Sequence, residues 1–275
     1  MYAPRRWSFL GMGRALTMLR TPTGEAVRLI VLAGGMLWLI VNGATSFGYN
    51  WQWHRVPRYL WQTFEGEFFA GPLLKGLAVT VEISAVALLL SLLFGLIAAL
   101  ARLRGTAVGQ AVARGYLELI RNTPLLIQIY LFYFVLAPIV GMSRWWVAVL
   151  ALALFEGASM SEAMRGAVLA VPRGHWESAA ALGLSEGKCY RLVVLPQALR
   201  IALPALAGRA VSLVKASAIV SVIAVFDLTT EGRNIISDTF MTFEIWLTVA
   251  ALYLLITTPL SLGAQALERR LGTPT

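Results

Sequence analysis

Long apolar runs separated by short polar stretches set the pattern of the chain. Six runs are close to the ~20 residues that a helix needs to cross the hydrocarbon of a bilayer. They lie near 27–47, 77–100, 124–140, 145–163, 205–226 and 245–267. The pattern predicts an all-α, polytopic membrane protein with six transmembrane helices. Between the first two runs, residues 49–71 are polar and rich in rings: Trp51, Trp53, Tyr59, Trp61, Phe64, Phe68 and Phe69. Aromatic crowding of this kind suits a membrane–water interface; an interfacial helix and a plain external loop both fit, and the helix is the expectation.

The longest polar break, 172–204, reads PRGHWESAAALGLSEGKCYRLVVLPQALRIALP. Its pattern predicts two short helices. Helix formers run from Trp176 to Leu182, and Gly183 supplies the left-handed residue that ends a helix. Ser185 is an N-cap for the second helix, with Glu186 in its first turn. Pro196 is expected to limit that helix, and Pro204 to open the next apolar run. Ala179, Ala180 and Ala181, beside Trp176 and Glu177, give the first helix a small-residue face. A small-faced pair of helices at a membrane surface suits docking to a partner.

Composition agrees with the apolar runs. The 275 residues are 58% hydrophobic and 13% charged, with a mean hydropathy of +0.72; soluble domains carry about 25% charged residues. The net charge of +9 does not point to nucleic acid, because the cations flank apolar runs. With the N-terminus inside, 16 of the 23 Lys and Arg fall on inner segments and five on outer ones, leaving Arg209 and Lys215 in a span. The positive-inside rule then places both termini and the 172–204 island in the cytoplasm. The first run is expected to be a retained span, since about 28 residues precede it, a long lead for a signal peptide. A single cysteine, Cys189, excludes an internal disulfide, and His54 and His175 make no metal-ligand pattern.

Ionisable residues within a span usually face a partner or a watery cavity. Glu156 stands in the middle of the fourth run, beside Gly157, Ala158 and Ser159, which allow close approach of another backbone. Two readings fit it: a pathway carboxylate that meets a substrate ammonium group, or a structural carboxylate paired with Lys215 or a neighbouring helix. Gln128, one turn past Pro124, fits either a ligand contact or an interhelical hydrogen bond. Lys215 fits snorkelling to the inner interface, a pair with an acid such as Glu162, or the pathway. Glu118 and Arg121 have the spacing of an i,i+3 pair.

The 172–204 stretch resembles the cytoplasmic coupling loop of ABC importer membrane subunits, with Glu177, Ser178, Ala179, Gly183, and then Val193, Val194, Leu195 and Pro196 in the matching positions. Ser178 stands where that family usually has alanine. A second stretch, YLELIRNTPLLIQ, is similar to polar amino-acid importers through Tyr116, Glu118, Arg121, Asn122, Thr123, Pro124, Leu125 and Leu126. Lys215 and Ser217, and the stretch TFMTFEIWLTVAALYLL, extend the likeness over about 76–270. The resemblance implies a five-helix core preceded by an additional span. The expected organisation is a cytoplasmic tail (1–28), an added helix with its aromatic segment (29–75), a permease domain (76–270) and a short tail (271–275).

The resemblance further implies an inner-membrane complex. Its partners would be a second permease subunit, two ATPase subunits that bind ATP and Mg, a periplasmic binding protein, an amino-acid substrate and surrounding lipid. Trp176, Glu177, Ser178, Ala179 and Gly183 would seat the ATPase; Glu156, Gln128, Ser159 and Lys215 would line the pathway. Gly187-Lys188 is followed by Cys189, and Leu182 stands where a nucleotide-binding loop needs glycine. ATP hydrolysis therefore falls to another chain, and no cofactor is expected on this one. An ion-driven secondary transporter, a permease for another small solute and a non-transporting membrane subunit are the rival readings. Inverted repeats and paired broken helices, the signs of the first, are not evident.

Overall fold

Helices make up nearly all of the computed structural model, which describes residues 22–46, 48–64 and 67–271. Two compact units divide the chain, 1–51 and 52–275. In the first unit, α1 (Pro22–Ser46) is 25 residues long, enough at about 1.5 Å per residue to cross a bilayer core. After it, Tyr49 and Trp51 meet edge to face at 5.2 Å. The expected tail as far as residue 21, Phe47 and the last four residues lie outside the described residues.

In the second unit, four helices are long and apolar enough to span: α3 (Pro72–Arg104), α6 (Arg144–Leu169), α8 (Glu186–Ile223) and α10 (Thr242–Leu271). A further pair, α4 (Ala107–Arg121) and α5 (Leu125–Val140), bends by 106° and amounts to one broken span. The shorter helices are α2 (Pro57–Leu60), α7 (Arg173–Ala181) and α9 (Leu228–Thr239). All five runs expected as core spans fall, in whole or in large part, on these four long helices or on α5. The stretch before Pro124, expected only as a basic connector, is itself helical.

The aromatic segment differs from expectation. It forms a 3-10 turn (Trp53–Arg55), the single turn α2, and an antiparallel hairpin of β1 (Trp61–Phe64) and β2 (Glu67–Ala70) in which Gln62 pairs with Phe69. From Gln52 on it belongs to the second unit. Val56 and Leu73 are buried with Leu228, Met241 and Ile245, and Glu244 accepts the Gln52 N–H at 2.6 Å. Trp61, Thr63, Phe64, Phe68 and Phe69 are of the aromatic and β-branched types that suit a strand, and burial of Val56 ties the segment down.

The α3–α6 crossing is the centre of the bundle. Without a hydrophobic driving force between helices in lipid, close contact depends on small residues. Gly95 supplies it from α3: a Cβ there would stand 3.0 Å from Met160 Cβ and 3.1 Å from the Gly157 carbonyl. Gly157 answers from α6, where a Cβ would meet Tyr116 Oη at 3.1 Å and the Ser91 carbonyl at 3.2 Å. Ile83 and Ala87 of α3, Leu125 and Ile129 of α5, Val147 to Ala153 of α6, and Leu213 of α8 complete the main core.

Pro196 does not end α8, against expectation, and the second island helix runs on through Pro204 into the apolar run. A π-helical turn (Tyr190–Val194) precedes Pro196, and its wider ring leaves room for a residue that has no N–H to donate. Pro204 lies inside the helix. At the other end, a 3-10 stretch (Ser217–Ile223) closes on Ala224 at φ 52°. Arg144 donates to the Ala224 carbonyl at 3.0 Å and Arg233 to that of Ser221 at 2.7 Å, so two guanidinium groups meet carbonyls at this helix end. Asp227 then caps α9 by accepting the N–H groups of Thr230 and Thr229. Burial pushes the Asp227 carboxyl up against those bonds. Burial, and then the Asp227 charge, likewise raises Glu231, opposed by Lys75.

Candidate functional site

The polar island forms the expected helix–turn–helix, closed by a complete Schellman motif. Leu184 N–H donates to the Ala179 carbonyl at 3.2 Å and Gly183 N–H to that of Ala180 at 2.9 Å, with Gly183 at φ 71°. Ser185 takes the N-cap position, but no side-chain hydrogen bond comes with it. Glu177, Ser178, Ala180, Ala181 and Leu182 are exposed, Leu182 at 81%. Ala179, expected on the docking face, is instead 3% exposed and packs inward with Ala167, Val171 and Val194. Trp176 is half-buried against Tyr190, rings edge to face at 4.9 Å. Helical geometry accounts for the difference, since residues three apart share a face. The face of Trp176 and Ala179 seats α7 on the bundle, and the opposite face is left free. A shallow groove of about 340 Å³ runs alongside, lined by His175, Ser178, Ala179, Leu182, Leu184, Val193 and Gln197. His175 Nδ1 and Gln197 Oε1 are 2.7 Å apart across it.

Near the C-terminal ends of α3 and α4 a carboxylate absent from the expected site gathers three cations. Glu162 of α6 pairs with Arg102 of α3, with Arg165 one turn along at 3.2 Å, and with Arg121 of α4 at 4.0 Å. It thereby ties three helices together. The expected Glu118–Arg121 pair is not made: Glu118 accepts from Asn122 at 2.9 Å, and Arg121 turns to Glu162. Nor does Lys215 pair with Glu162 or Glu156; it is exposed and makes no ion pair among the described residues. Only the i,i+3 spacing of Glu162 and Arg165 announced this cluster in the sequence.

Glu156 is 3% exposed, and its Oε2 has no hydrogen-bond partner among the described residues. The opposing charge that acts on it is Arg209 of α8. Ser159 is half-buried, three residues along the same helix. Gln128 is bound to the bend between α4 and α5: its Nε2 donates to the carbonyls of Ile120 and Thr123, each at 2.8 Å. These carbonyls close α4, where Pro124 prevents the helix from continuing. The other amide atom, Oε1, is buried with no partner among the described residues. The fold thus holds Glu156 and Ser159 on one helix, puts Gln128 at a break and leaves Lys215 at the surface.

The chain matches a family profile described as "binding-protein-dependent transport system inner membrane component", over residues 91–273. The chain belongs to this family. It is 38% identical over 202 residues to the glutamine transport system permease protein GlnP of Escherichia coli (strain K12), covering 72% of this chain and 92% of that one. The octopine transport system permease protein OccM of Rhizobium radiobacter is 35% identical over 210 residues, at 73% and 83% coverage. Among solved structures, an amino acid ABC transporter with histidines is 35% identical with a TM-score of 0.68, over 72% of this chain and 94% of that one. The methionine ABC transporter MetNI, at 20% identity, shares the fold with a TM-score of 0.63, over 74% and 97%. The chain is thus a multi-pass permease of the inner-membrane transport family, and hydrolysis is not its part in such a system.

Proposed function

We propose that the chain is the permease subunit of an ATP-driven importer of polar amino acids. The observation that carries this reading is the exposed face of α7, held at a set angle by the Gly183 turn beneath a bundle of spanning helices. A docked ATPase, holding ATP and Mg, moves α7 as a rigid body. The bundle then alternates between inward- and outward-open forms. Glu177, Ser178, Ala180 and Leu182 seat that ATPase, and Gly183 sets the angle. A second permease subunit completes the pathway, and a periplasmic binding protein delivers substrate. Both termini of the chain lie in the cytoplasm, with α1 as an additional span and the aromatic hairpin at the outer interface.

Within the membrane, Glu156 is the group that meets the substrate ammonium. Its buried, unpartnered Oε2 supports that role, since an unsatisfied carboxylate in such surroundings is costly to keep. Ser159 lies beside it. Gln128 and Lys215 have weaker standing: one is bound into a helix break, the other is exposed.

The test reconstitutes the chain with its ATPase and binding protein in vesicles and measures amino-acid uptake. Uptake that needs ATP inside the appropriate compartment supports the proposal. Uptake that survives removal of the ATPase but not of a proton or sodium gradient refutes it. Glu156→Gln is expected to leave assembly intact and lower uptake about tenfold, the equivalent of ~1.4 kcal/mol. Unchanged transport of every amino acid tested would remove Glu156 from the pathway.

A further inference from the structure

The docking helix reaches the bundle by two routes. The apolar route packs Ala179 of α7 with Ala167 of α6 and Val194 of α8, and among the described residues no part of α3 joins that cluster. The second route is polar and aromatic, and it leads to α3. Arg104 is the last residue of α3. Its Nη2 donates to Glu186 Oε1 at 2.6 Å, at the start of α8. Its guanidinium carbon lies 3.6 Å over the centre of the Tyr190 ring. Tyr190 meets Trp176 of α7 edge to face, the planes 82° apart. Trp176, Tyr190 and Arg104 therefore form an unbroken stack from the docking helix to the inner end of the second span.

Guanidinium suits this place because its flat face stacks on a ring while its edge donates to a carboxylate. Lysine offers only a point charge. Each contact is weak by itself: Glu186 is 82% exposed, so water and salt screen the pair. Their value lies in what they connect. Tyr190 opens the π-helical turn, where the helix is least regular. Arg104 closes a helix that is fixed to α6 nine residues earlier, where Gly95 meets Gly157. A displacement of α7 that reaches Arg104 is thus handed to a stiff element.

We infer that Arg104 is a positioning residue for coupling: through Tyr190 and Glu186 it makes the second span follow the docking helix when the ATPase moves it. This rests on the proposed function. It adds a transmission route inside the permease, separate from the surface that the ATPase touches.

The experiment measures amino acid taken up per ATP hydrolysed, using the full chain reconstituted with its ATPase and binding protein. Arg104→Glu and Glu186→Arg, made singly, are expected to lower that ratio about fivefold or more. The double exchange, which restores opposite charges, recovers most of it. A merely structural role would lower yield or assembly and leave the ratio of assembled complexes unchanged. Tyr190→Leu and Tyr190→Phe leave every charge in place and decide the matter where the charge variants fail to assemble. Leucine lowers the ratio, and phenylalanine, which keeps the ring, does not. Single variants that assemble with an unmodified ratio, a double exchange no better than its parents, or equal ratios for Leu and Phe would overturn the inference. An unmodified complex with no ATP-driven uptake overturns the proposed function instead, and this inference with it.

Discussion

Gly183 offers the sharpest perturbation, because conformation alone separates it from its substitutes. Its φ of 71° is in the left-handed region, yet a Cβ built there meets nothing within 4 Å. Packing therefore contributes nothing to the cost of a side chain. The left-handed conformation itself costs a non-glycine residue about 1–2 kcal/mol. That shifts the balance between this turn and any straighter alternative by about 5- to 30-fold. Valine, branched at Cβ, pays more than alanine, and asparagine, which tolerates this region, pays less. The expected order of ATP-driven uptake is Gly, then Asn, then Ala, then Val. The fold should survive throughout, since the turn is exposed and its loss leaves the α3–α6 crossing untouched. The assay compares uptake with expression level and with ATPase copurified on the permease. Full uptake by Gly183→Val at normal expression would refute the docking account. Alanine equal to or better than asparagine would show that backbone strain is not what the turn contributes.

Two further substitutions test the bundle. Gly157→Leu places a side chain where even a Cβ would stand 3.1 Å from Tyr116 Oη and 3.2 Å from Phe94 Cβ; a loss of about 1–3 kcal/mol is expected. Thermal unfolding in detergent measures it, with Gly166→Leu, where a Cβ has open space, as the control that leaves the midpoint unchanged. Glu162→Ala removes the acceptor shared by Arg102 and Arg165 and is expected to cost about 1.5–3 kcal/mol, the range for hydrogen bonds to charged groups. An unaltered unfolding midpoint would show that this end of the bundle is held without the cluster.

Local signals in the sequence located most of the helices. An apolar run of about 20 residues is its own evidence of a span, because the bilayer fixes the length. Gly183 and Ser185 marked the ends of the two island helices because caps are chosen by the backbone at that residue. What failed was whatever depended on a distant neighbour. Pro196 was expected to stop a helix, and a π-helical turn upstream accommodates it. The segment at 49–71 was expected to be a helix, and part of it is a hairpin.

The inward turn of Ala179 required knowledge of which face of α7 meets the bundle. Glu162 gathers Arg102 and Arg121 from positions 60 and 41 residues away, and no spacing rule links residues so far apart. Arg104, Tyr190 and Trp176 were three unrelated letters until α3 and the island met. The sequence by itself determined the spans and the turn between the island helices, because each is written in consecutive residues. Tertiary structure decided which charges pair, which face of α7 is left exposed and which helix Arg104 links to the island. Those depend on which surfaces come together, and here Gly95 and Gly157, by letting α3 and α6 close to van der Waals contact, settle that.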